Sequence, residues 1–86
     1  MRGMLIPVGG QPTPYRENPE RKKFELDELQ AIVGGYIELM PVINNMFLVV
    51  NEEGLIMELP RNEGASAIAG QHICGDTILI PRNSID

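Results

Sequence analysis

His72 and Cys74 are two residues apart, so on an extended chain an imidazole and a thiol share one side, the pairing that nucleophilic catalysis uses. A working pair also needs a third group to orient the imidazole, and no acid of this sequence is placed to do so. The ordinary reading is a partly exposed histidine beside a buried thiol that fills core space. The same two residues are the only soft metal ligands, and no second pair completes a tetrahedral site. Glu52 and Glu53 are adjacent at a hairpin tip, where neighbouring side chains point apart and solvate. These residues predict a binding protein and not an enzyme, with no catalytic residue, no metal and no cofactor.

The best place for an anion is Arg61-Asn62-Glu63-Gly64-Ala65-Ser66. It begins a helix, so free backbone amides and the positive end of the helix dipole coincide. Gly64 permits close approach, Ser66 offers a hydroxyl and Arg61 a bidentate fork. The competing reading is a capped helix with a surface arginine, and Glu63 supports it by standing where the anion would. Gly34-Gly35-Tyr36 has the composition of a phosphate loop, but its glycines follow a helix instead of opening one. Tyr36 stays a candidate for stacking on a base.

The elements that must position these residues follow from periodicity. Residues 4–8 are an apolar strand ended by Pro7, Gly9 and Gly10. Residues 9–19 hold Pro12, Pro14 and Pro19 among polar residues, which predicts a long loop that buries almost nothing. Residues 22–25 add a short strand. Leu26, Leu29, Ile32 and Val33 recur at spacings of three and four, so residues 26–33 form a helix with Asp27, Glu28 and Gln30 facing water. Gly34 supplies its left-handed cap.

Residues 36–42 alternate as a strand, and Asn44-Asn45 turns the chain into the continuous apolar run 47–50, a strand buried on both faces. The sequence Asn51-Glu52-Glu53-Gly54 then predicts a hairpin whose partner strand runs through Leu55, Met57 and Leu59 to Pro60. A second helix lies within residues 61–70, with Asn62 as N-cap and Gly70 as its end. Residues 77–80 form the last strand. The fold class this predicts is α+β: one domain, a small, mainly antiparallel sheet with two short helices on a face, and a proline-rich loop at 9–23.

A chain of 86 residues buries only about 60% of the surface its unfolded form exposes, and such chains usually need a staple. One cysteine excludes an internal disulfide and suits a reducing cytosol. A homo-oligomer, whose second copy would cover so apolar a hairpin, is the remaining staple. The absence of an 18-residue apolar run predicts a soluble protein with no membrane contact. Residues 1–23 carry five basic side chains against two acids, a balance of +3, while residues 24–86 carry Arg61 and Arg82 against ten acids, a balance of −8. So acidic a body repels a phosphate backbone, and Arg21, Lys22 and Lys23 are too few for the six to ten contacts of a typical duplex binder. No DNA or RNA duplex is expected.

Leu29-Gln30, Val33-Gly34-Gly35-Tyr36-Ile37-Glu38, Asn51-Glu52-Glu53-Gly54-Leu55, Asn62 with Ala65-Ser66, and Gly75-Asp76 form an ordered series. Over residues 24–81 it resembles a small domain family of unknown function carried by bacteriophages and mobile elements, with residues 10–19 outside the pattern. The resemblance implies a setting, the bacterial host cytoplasm, and by analogy a counter-defence protein that sequesters a nucleotide-derived immune signal without cleaving it. On that expectation Arg61 and Ser66 hold phosphate, Asn62 orients it and Tyr36 stacks on the base. The alternative is an interaction module that inhibits a host defence or replication protein through the 9–23 loop.

Overall fold

The spacing of Leu26, Leu29, Ile32 and Val33 does produce a helix. In the computed structural model, which describes residues 2–86, α1 spans Leu26–Val33. Gly34 ends it at φ 80°, where a side chain would be strained, and donates its amide to the Gln30 carbonyl at 2.8 Å. The strands are β1 Gly3–Ile6, β2 Thr13–Tyr15, β3 Ile37–Val42, β4 Met46–Asn51 and β5 Thr77–Pro81. They make one sheet in the order β2-β1-β5-β4-β3, and every neighbouring pair is antiparallel. A second helix, α2, spans Glu63–Ala69, giving the α+β class that the periodicity implies.

The two helices cover opposite faces of the sheet, not the single face that the sequence suggests. Alternation along the strands decides this. Val49, Ile78 and Ile80 pack with Leu29 and Val33 of α1, together with Tyr15 and Phe24. Leu48, Val50 and Ile6 point the other way and pack with Ala65 of α2 and Ile73. The apolar run of β4 is therefore buried on both faces, as its composition predicts.

Three segments differ from the sequence reading. The proline-rich stretch is not free: Thr13–Tyr15 pairs with β1, and Tyr15 is buried against Phe24 with ring centroids 5.8 Å apart. An edge strand tolerates Pro14, because no second neighbour needs its missing N–H. Within 22–25 only a bridge forms, between Phe24 and Ile85.

Residues 55–59 do not form the expected strand. Asn51 is buried, and its Oδ1 accepts from the Glu53 amide at 2.8 Å, so the chain turns at once. Met57 then donates to the Glu53 carbonyl at 2.8 Å and Leu59 to that of Gly54 at 3.0 Å, using amides that a ladder would need. A Cβ on Gly54 would stand 2.7 Å from the Cys74 carbonyl, so only glycine lets these segments approach. The turn leaves Leu55, Ile56 and Met57 in solvent. Among the described residues no helix is long and apolar enough to cross a membrane.

Candidate functional site

The start of α2 is built for stability. Asn62 is fully buried; its Oδ1 accepts from the Ala65 amide at 3.0 Å, and its Nδ2 donates to the carbonyls of Ile6 at 2.7 Å and Gly75 at 2.9 Å. Ser66 is buried as well, donating from Oγ to the Ile73 carbonyl at 3.3 Å and accepting from the Ile73 amide at 2.9 Å. Both side chains hold α2 to the segment before β5. Arg61 is exposed, with Nε 2.6 Å from Glu63 Oε1 and Nη1 donating to His72 Nδ1 at 2.9 Å. Glu63 thus occupies the arginine that an anion would use.

Tyr36 is 64% exposed on a different surface, in a shallow groove with Gln30, Gly34, Glu53 and Met57. Of the four residues proposed from the sequence, Arg61, Asn62 and Ser66 are neighbours that face different surroundings. None of those three lines the groove that holds Tyr36. His72 is exposed and Cys74 buried, as their ordinary reading has it. No group of three or more His, Cys, Asp or Glu among the described residues could hold a metal ion.

A cleft of about 730 Å³ lies elsewhere, between α1 and the segment that leads into and out of β2. Leu5, Tyr15 and Ile32 supply apolar wall, while Asn18, Arg21 and Glu28 supply polar atoms. Glu28, expected to face water, is buried. Its Oε2 accepts three hydrogen bonds: from Arg2 Nη1 at 2.6 Å, Tyr15 Oη at 2.8 Å and Asn18 Nδ2 at 3.2 Å. Arg2 is itself fixed, because Nη2 donates to the Lys23 carbonyl at 2.7 Å and the guanidinium lies 4.2 Å over the Phe24 ring.

The other oxygen, Oε1, is buried and has no hydrogen-bond partner among the described residues. Arg21 Nη1 is 3.9 Å away, too far for a hydrogen bond, and Arg21 makes its closer contact with Glu25 at 3.2 Å. Leaving a buried acceptor unpaired costs about 1 to 3 kcal/mol, so such an atom needs a reason.

The electrostatics of this group follow from its partners. Burial pushes the Glu28 carboxyl up, but the hydrogen bonds from Arg2, Tyr15 and Asn18 with the charge of Arg2 outweigh it and hold the group below its usual value of 4.5. Burial, then the Glu28 hydrogen bond and charge, push the Tyr15 phenol up to about 12. At neutral pH the cleft therefore contains a fixed carboxylate and a neutral phenol. The cleft is also acidic, since Glu17, Asp27, Glu28 and Asp76 line it against Arg21.

Helix periodicity misses Glu28 because it counts only apolar residues on the buried face. The one hint in the sequence is that Glu28 precedes Ile32 by one turn, on the flank of that face.

Residues 1–84 match a family model described as Domain of unknown function (DUF3846). The match includes the proline-rich stretch, which the sequence resemblance leaves outside its pattern, in keeping with the place of β2 in the sheet. No curated protein and no solved structure matches the chain.

Proposed function

We propose, for a chain that belongs to the DUF3846 family, a non-catalytic binding role: it sequesters a small nucleotide-derived ligand in the cleft beside α1. The observation that carries this reading is the buried Glu28 carboxylate, one oxygen of which has no partner among the described residues, in a cavity of about 730 Å³, within the size range of small-molecule sites. The start of α2 gives less support, because Asn62 and Ser66 are spent on internal hydrogen bonds. In a cleft lined by four acids the base would point inward and the phosphates outward to solvent. The biological setting, a phage counter-defence protein in the bacterial cytoplasm, rests on the sequence resemblance alone.

A thermal-shift and calorimetric screen against cyclic di- and trinucleotides and ADP-ribose derivatives tests this. Binding at a hundredfold excess over Kd stabilises the fold by about 2.7 kcal/mol and raises Tm, and heat should then release the ligand intact. Ala31→Trp, at an exposed position lining the cleft, should abolish the shift, while Arg61→Ala should retain it. No shift with any compound sinks the reading.

A second reading, a module that inhibits a host protein, is favoured by the exposed Leu55, Ile56 and Met57 more than by the 9–23 segment, whose Tyr15 is part of the core. Capture of a polypeptide, lost in Ile56→Asp, would support it over the first.

A further inference from the structure

We propose that Glu28 Oε1 is the anchoring acceptor for a nitrogen group that carries N–H donors, and that Arg21 is the movable cover this group displaces. The inference rests on the cleft being a ligand site and names the chemistry that fills it. Four observations carry it. Oε2 is saturated by three donors whereas Oε1 has none among the described residues, so one side of a fixed carboxylate is left for a further donor. The side chain is only 5% exposed, so a partner there must come close and exclude water.

Arg21, whose Nη1 stands 3.9 Å from Oε1, is 42% exposed and makes its closer ion pair with Glu25 at 3.2 Å, so it can swing aside while keeping that pair. Finally, the lining carries Glu17, Asp27 and Asp76 besides Glu28, a field that attracts donors and cations and repels phosphate. A carboxylate can only accept, so the complementary group is an amine, an amidine, a guanidinium or the amino edge of a nucleobase. A neutral base edge and a cationic nitrogen share this chemistry, and the probes below separate them.

The experiment is calorimetry on the full chain at neutral pH with four probes. Guanosine offers neutral N–H donors, agmatine cationic ones, tetramethylammonium a cation with none, and ribose 5-phosphate an anion with none. Guanosine or agmatine should bind at least tenfold tighter than both controls, and which of the two does so assigns the neutral or the cationic class. Arg21→Ala should tighten that binding severalfold, because it removes a competitor from the surface of the molecule. Glu28→Gln should weaken it tenfold or more.

Should Glu28→Gln fail to fold, the probe series and Arg21→Ala still decide. Equal binding of tetramethylammonium or ribose 5-phosphate, weaker binding in Arg21→Ala, or no binding of either donor probe overturns the proposal. Binding of a cyclic nucleotide that Ala31→Trp abolishes and Glu28→Gln leaves intact overturns it while the cleft reading stands. Binding of agmatine with no nucleotide bound supports it and removes the nucleotide reading.

Discussion

Glu28 is a buried charge held by Arg2, Tyr15 and Asn18. Its carboxylate balances Arg2, whose side chain is only 9% exposed, and the two share the surroundings of Phe24 and Tyr15. Removing one partner of such a pair leaves a charge buried without compensation, so Glu28→Ala should lower the unfolding free energy by about 3 to 5 kcal/mol in a denaturant titration. Tyr15→Phe removes one of three donors to the same oxygen and should cost about 1 to 2 kcal/mol.

The same cluster sets the pH limits. Glu28 is held below 4.5 in the folded chain, so the unfolded chain takes up its proton first. Its stabilisation is present above pH 4.5 and is lost as pH falls from there through the folded value. Tyr15 works in the opposite sense, because the folded chain holds its proton up to about 12 against 10.0 ordinarily. That contribution is present below pH 10 and is lost between pH 10 and 12. Melting curves from pH 2 to 12 should fall off at both ends, and Glu28→Gln should blunt the acid limb.

At the scale of elements, the segment that looks least structured has a structural task. Deleting residues 11–20 removes β2, strips Tyr15 from the core and takes away Asn18 beside Glu28. The deletion should drop Tm markedly in circular dichroism, where a dispensable loop would leave it unchanged. The α2 end is equally specific. Asn62→Ala removes an N-cap worth about 1 kcal/mol and the donors to two carbonyls, so a total cost of about 2 to 4 kcal/mol is expected from chemical denaturation.

For the whole molecule, the exposed apolar side chains and the open edges of the sheet are the features that bear on assembly. Leu55, Met57 and Tyr36 are at least half exposed and Ile56 is 81% exposed, all beyond the reach of either core cluster. A monomer of this size gains little from leaving such residues in water, and a second copy covering them is the staple we propose. Light scattering at micromolar concentration should then report twice the 9.5 kDa of the chain, and Ile56→Asp should return it to the monomer mass. A wild-type monomer would refute the dimer.

Local sequence was enough for whatever short-range interactions control. Leu26–Val33 with its Gly34 cap, the capped start of α2 at Asn62, and the doubly buried β4 were all legible, because spacing, caps and apolar runs act within a few residues. The tertiary structure decided what distant residues share. Alternating side chains in β4 and β5 sent the two helices to opposite faces, and pairing with β1 turned a proline-rich stretch into a strand. Asn51, held by the Val33 carbonyl, diverted 55–59 from the hairpin its alternation suggests. The cleft lies in the same category, since Glu28 meets Arg2, Tyr15 and Asn18 from 26, 13 and 10 residues away. No local pattern encodes that meeting: a buried charge is tolerated only where the fold brings its partners, and those partners are chosen in space and not along the chain.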